Sequence, residues 1–141
     1  MTVYIDTSVL AAYYCPEPGS AAAQKRLARA KQPVISPLVE IELYSAVAAK
    51  VRARELDAAS AGRVLDLFRK HLAEGCYGVV SIGMGEYALA RDWIGRFSSP
   101  LRAADALHLA AAFANGVTLL TADKALAQSA AHFGVRHELV P

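Results

Sequence analysis

Short apolar runs alternate along this chain with longer stretches of helical periodicity, and polar or glycine-containing breaks separate the two. Val3 to Ile5 is a β-branched and aromatic run that stops at Asp6-Thr7-Ser8, whose side chains can cap a helix carrying Val9, Leu10, Tyr13 and Tyr14. Pro16-Glu17-Pro18-Gly19-Ser20 breaks the chain, and Ala21 to Ala30 then supplies helix formers on which Lys25, Arg26 and Arg29 make a basic face. A second short strand is predicted at Pro33 to Ser36, followed by a helix from Pro37 to about Ala53 that opens with proline where a first turn tolerates it. Asp57 caps a fourth helix to about Glu74, closed by Gly75. Tyr77 to Ile82 reads as a buried third strand, and Gly85 to Phe97, containing Trp93, as a helix. Leu101 to Asn115 forms a helix apolar nearly all round; Val117 to Leu120, Asp123 to Phe133 and Val135 to Leu139 come next as strand, helix and strand.

Strands separated by helices call for right-handed crossovers, so the expected class is α/β, a mainly parallel sheet with helices on both faces. With 141 residues, 55% of them hydrophobic and 20% charged, one domain with a continuous core is expected, and disorder is excluded. Fifteen basic against thirteen acidic residues leave a net charge of +2, too balanced to identify a nucleic-acid binder by itself. No apolar run approaches the roughly 18 residues of a membrane span, and MTVYIDTSVL has no basic region before a cleavable apolar stretch, so a cytoplasmic protein is expected. Cys15 and Cys76, far apart and without a nearby histidine pattern, read as reduced thiols.

Four acids break the local pattern. Asp6 and Asp123 fall just past the ends of predicted strands, where open α/β sheets place their functional crevice. Asp105 lies among Ala103, Ala104, Ala106, Leu107 and Leu109, where an uncompensated carboxylate would cost several kcal/mol. Glu42 has Leu38, Ser45, Ala46 and Ala49 as its helical neighbours. A hard divalent cation such as Mg²⁺ or Mn²⁺ would compensate all four, because it prefers carboxylate oxygens. Taken singly, Asp6 and Asp123 also read as helix caps, Asp105 as a partner of Arg102, and Glu42 as a solvated side chain. Glu40 competes with Glu42: two residues turn a helix by roughly 200°, so only one of them can aim at a given site, and periodicity does not choose.

The segments VYIDTSVLAAYY, SPLVEIELYSAV, LRAADALHLAAA and TLLTADKALAQSA, in this order and with these gaps, resemble the PIN-domain family, most closely its branch of VapC toxins. The resemblance spans nearly the whole chain and implies a single PIN domain over 1–141, a three-layer sandwich with a short-stranded parallel sheet. The family's acidic quartet corresponds to Asp6, Glu42, Asp105 and Asp123, as catalytic residues and metal ligands. Glu42 is preferred over Glu40 because Leu43-Tyr44-Ser45-Ala46 succeeds it in the family's manner; Glu40 itself departs from the commoner aliphatic residue. Ser8 and Thr121 match polar positions whose hydroxyls orient the first and last carboxylates, and both read equally as ordinary helix and turn caps. His108, three residues after Asp105, matches a histidine of this segment and reads as a packed structural residue rather than a base.

By that resemblance the chain is a Mg²⁺- or Mn²⁺-dependent endoribonuclease, with one or two ions activating water so that hydrolysis leaves a 5′-phosphate and a 3′-hydroxyl. Lys25, Arg26, Arg29 and Lys31, or Lys50, Arg52 and Arg54, are candidate contacts to the RNA backbone, although each run also reads as a solvated helix face. A small cognate antitoxin is implied, with an Arg or Lys entering the acidic pocket and a helix lying beside Tyr13 and Tyr14. A homodimer is implied too, with Tyr13, Tyr14 and Trp93 as interface aromatics or, alternatively, as core residues. The main alternative is a degenerate PIN module that binds RNA or protein without cleaving. An aspartyl-phosphate phosphatase is disfavoured because Ser8 stands where its second acid belongs, and a receiver domain because Ser81-Ile82-Gly83 offers no phosphoacceptor.

Overall fold

A computed structural model describes residues 2–141 and shows an α/β architecture built on a five-stranded parallel sheet. In chain order its elements are β1 (Val3–Ile5), α1 (Thr7–Tyr14), α2 (Ser20–Ala28), β2 (Val34–Ile35), α3 (Pro37–Arg52), α4 (Ala58–Ala73) and β3 (Gly78–Val79). They continue with α5 (Met84–Gly95), α6 (Ala103–Ala114), β4 (Thr118–Thr121), α7 (Lys124–His132) and β5 (His137–Leu139). The sheet order is β3-β2-β1-β4-β5. β1 is central, with Tyr4 registered against Val34 on one side and Leu119 on the other.

This order fixes where a site can form. The chain builds outward from β1 through β2 to β3, then returns past β1 to β4 and β5. Right-handed crossovers therefore put α1 to α4 on one face and α5 to α7 on the other. The helix packing agrees: α1 lies on α2 and α3, α3 on α4, and α5 on α6. The direction of winding reverses between β1 and β4, which opens a crevice at the carboxyl ends of those two strands.

Local chemistry explains the elements. Asp6 accepts from Val9 N at 3.3 Å and so caps α1, and Asp57 caps α4 by accepting from Ser60 N at 2.7 Å. Gly75 ends α4 with a φ of 74°, a left-handed conformation that costs glycine little. Helix α6 buries Ala106 through Ala112 without interruption, and its many alanines let its backbone lie close against the sheet. Val3, Tyr4 and Ile5 are all buried, as are Leu119 and Leu120, so the core runs along the two central strands.

Two expectations need correction. The third strand, expected as a buried run over Tyr77 to Ile82, is only Gly78–Val79, and both residues are exposed. It is an edge strand paired to β2 alone, and edge strands are commonly short. Asp105, expected inside a helix beginning at Leu101, lies instead in the first turn of α6, because Arg102 is the N-cap residue and Leu101 precedes the helix. Its carboxylate is therefore half-buried at a helix N-terminus, where negative charge is favoured, rather than sealed among alanines.

Candidate active site

The carboxyl ends of β1 and β4 carry the first half of the site. Asp6 is 3% exposed and accepts three hydrogen bonds. Ser8 Oγ at 2.6 Å and Val9 N at 3.3 Å donate to Oδ1, and Thr121 Oγ1 at 2.5 Å donates to Oδ2. The Thr121 hydroxyl also accepts from Asp123 N at 3.0 Å, and Ser8 Oγ accepts from Ala122 N at 2.9 Å. The hydroxyls at positions 8 and 121 thus tie the first acid to the backbone of the last. Burial pushes the Asp6 carboxyl above its ordinary value, with the Ser8 and Thr121 bonds and nearby His108 pulling the other way.

Asp123 caps α7, its Oδ1 accepting from Ala125 N at 2.8 Å and Leu126 N at 3.2 Å. The cap pins one oxygen, and no described residue bonds the other. Glu42, half-buried on α3, is arranged in the same way. Its Oε1 accepts from Thr7 Oγ1 at 2.7 Å and from His108 Nε2 in a short contact, while Oε2 bonds no described residue. Partial burial pushes the Glu42 carboxyl up, but the bonds from His108 and Thr7 outweigh it and hold the group below its ordinary value.

Asp105 enters none of these bonds, and its environment is the most telling. Burial raises its carboxyl first; the charge of Asp123 raises it further and Glu42 adds to that, against the attraction of His108 and of Arg102. The charges of Asp123, at the β4–α7 junction, and of Glu42, on α3, thus both reach Asp105 on α6. Glu40, in the first turn of α3, enters none of the site's hydrogen bonds. Carboxylate oxygens without protein donors are what a hard cation takes, so the set fits one in donor chemistry alone. The spacing is looser than a closed ligand shell: among the described residues no three His, Cys, Asp or Glu side chains stand together closely enough to hold an ion.

The PIN domain family matches residues 3–131. The chain belongs to the PIN domain family. No curated protein matches it. Among solved structures, VapC20 of Mycobacterium tuberculosis, described as a toxin that cleaves the sarcin-ricin loop, is similar at a TM-score of 0.71 with 16% identity, over 90% of this chain and 94% of that one. VapBC2 from Rickettsia felis, bound to a promoter DNA fragment, is similar at 0.71 and 16% identity over all of both chains. FitAcB from Neisseria gonorrhoeae is similar at 0.68 with 19% identity, over 96% and 95%. At these identities the likeness is one of fold.

Within this PIN domain some participants escaped the sequence. Thr7, Tyr4 and Ser36 bond into the Glu42 side of the site, and only Thr7, beside Asp6, sits near enough in sequence to have been suspected. The basic runs are partly engaged elsewhere: Arg26 pairs with Glu138 at 2.6 Å and Lys50 with Glu17 at 3.2 Å. Arg102, exposed and close enough to bias Asp105, is a cation bordering the acids. Tyr14 and Trp93 are buried core residues, which overturns their reading as interface aromatics; Met84, Tyr87, Phe97 and Phe113 are the exposed large side chains of α5, its end and α6. The cleft beside Tyr13 includes Lys31, Cys76 and Tyr77 and is not an apolar groove. A mostly apolar groove of about 390 Å³ lies instead between α5 and α6, against Ile94, Ala103 and Leu107. Among the described residues no helix is long and apolar enough to cross a membrane.

Proposed function

We propose that this single PIN domain is a divalent-metal-dependent endoribonuclease acting in the cytoplasm as the toxin of a toxin–antitoxin pair. One observation carries the reading: the charges of Asp123 and Glu42 both bear on Asp105, and each of the three acids keeps an oxygen that no described residue bonds. Those three, with Asp6, would hold Mg²⁺ or Mn²⁺. When bound, the cation supplies an activated water and draws charge from the phosphoryl oxygen.

The chain's own residues supply the rest. Ser8 and Thr121 hold Asp6 against the β4–α7 junction through short hydroxyls that are themselves bonded to backbone N–H groups, and the cap of α7 holds Asp123 by backbone N–H groups directly. Arg102 at the rim offers a guanidinium to a phosphate approaching an otherwise acidic mouth. Hydrolysis by water leaves a 5′-phosphate and a 3′-hydroxyl. An unrestrained ribonuclease would harm its own cell, so a small antitoxin partner is part of the proposal, as is a homodimer.

The test is cleavage of RNA by purified protein in Mg²⁺, Mn²⁺ or EDTA, with the product ends identified. Metal-dependent cleavage to 5′-phosphate ends, lost in Asp105→Asn, is expected; cleavage undiminished by EDTA would remove the metal from the reading. The competing reading, a PIN module that binds without cleaving, draws on the loose spacing of the acids and predicts RNA binding with no cleavage in either metal.

A further inference from the structure

Behind Glu42 lies a line of polar side chains with no access to water. Ser36, Tyr4 and His108 are 0%, 0% and 2% exposed and come from three separate places, the β2–α3 junction, β1 and α6. Ser36 Oγ meets the Tyr4 hydroxyl at 2.7 Å, that hydroxyl meets His108 Nδ1 at 2.8 Å, and His108 Nε2 reaches Glu42 Oε1. A buried hydroxyl or imidazole is costly beside apolar alternatives unless fully bonded. The core is otherwise built mainly of apolar side chains, so packing alone does not call for three polar groups in a row.

The direction of the bonds is set from the Glu42 end. A carboxylate only accepts, so His108 Nε2 must donate. In the neutral imidazole Nδ1 then accepts, the Tyr4 hydroxyl donates to it, and Ser36 donates to the tyrosine oxygen. Glu42 thereby selects the imidazole tautomer, and the tyrosine hydroxyl anchors the ring through its remote nitrogen. Both donors to Glu42, Thr7 and His108, fall on Oε1 and leave Oε2 turned to no described residue.

We propose that Ser36, Tyr4 and His108 form a buried relay whose task is to pin one oxygen of Glu42 and present the other to the cation, which makes His108 and Tyr4 positioning residues. This rests on the reading of the acids as a metal site. The relay does for Glu42 what the α7 cap does for Asp123, because α3 brings Glu42 to the mouth beyond its first turn, where no free backbone N–H is available to hold it.

The experiment measures Mn²⁺ affinity by calorimetry, thermal midpoint, and the ¹⁵N imidazole spectrum of the full chain. His108→Leu should stay folded and lose about 10–100-fold in Mn²⁺ affinity, the usual effect of removing a partner of a metal ligand. His108→Gln, whose amide N–H can donate toward Glu42, should recover most of it. Tyr4→Phe keeps the ring and decides the matter where His108→Leu does not fold. Its affinity should fall several-fold and its spectrum should keep the Nε2–H tautomer while the Nδ1 signal moves with loss of the tyrosine donor. Wild type that takes up no Mn²⁺ would overturn the metal reading and this role for the relay together. Wild-type uptake left unchanged by both His108→Leu and Tyr4→Phe would overturn the relay alone.

Discussion

Two tyrosine–histidine hydrogen bonds stand at opposite ends of this sheet, and they serve different ends. At the carboxyl edge the Tyr4 hydroxyl meets His108 Nδ1, and the imidazole passes on to Glu42. Toward the amino edge the Tyr14 hydroxyl meets His71 Nδ1 at 2.6 Å and Tyr77 at 2.7 Å, among the rings of Tyr13 and Phe68. The second cluster runs into aromatic packing, and burial pushes the Tyr77 hydroxyl up to about 12, so it stays a neutral cross-brace between α1, α4 and the start of β3. The same bond thus ends in a charge at one edge and in a ring at the other. The partner beyond the histidine, and not the histidine itself, separates the proposed site from a brace.

The sharpest break in this comparison comes from Asp123→Asn. Asparagine caps helices about as well as aspartate, so α7 should persist while one negative oxygen is lost from the mouth. Cleavage should fall by more than about 100-fold with little change in thermal midpoint, since removing a ligand should cost at least as much as removing a ligand's partner. Retained cleavage would make the carboxyl edge a brace like the other.

Tyr14→Phe probes the opposite end. Leaving His71 and Tyr77 without their shared partner should cost about 1–3 kcal/mol of stability while cleavage by the folded protein is unchanged. Loss of activity without loss of stability would show that the two ends are not independent.

Asp105→Asn should act on stability in the other direction. The folded carboxyl is raised above its ordinary value by burial and by Asp123 and Glu42, so the native state binds its proton more tightly than the unfolded chain does. Stability from this group is therefore gained as pH falls through the raised value and given up again above it; Asp6 acts with the same sign and Glu42 with the opposite one. The substitution should raise the thermal midpoint by about 2–4 °C at neutral pH, the response to relief on the order of 1 kcal/mol, and flatten its pH dependence. The smallest effect is expected for Lys50→Gln, which breaks a partly exposed pair with Glu17 and should change stability by less than about 1 kcal/mol.

The order of strands and helices was written in the sequence because hydrophobic period, caps and glycine stops are local properties; Asp6, Asp57 and Gly75 ended or began elements where expected. The acids stood out for a related reason, that a charge beside an apolar run is visible without knowing the neighbours. The third strand misled because burial of an apolar run depends on whether a second strand covers its outer edge, which no local pattern states. Trp93 and Tyr14 could be assigned to core or surface only once helices had partners. The Glu42 side of the site was decided wholly by tertiary structure: Tyr4 and His108 are 104 positions apart, Tyr4 and Ser36 32, and Glu42 and His108 66. A tyrosine in a strand, a serine before a helix and a histidine in an alanine-rich helix each satisfy their own element. They meet only because the tertiary fold brings three distant segments to one edge of the sheet.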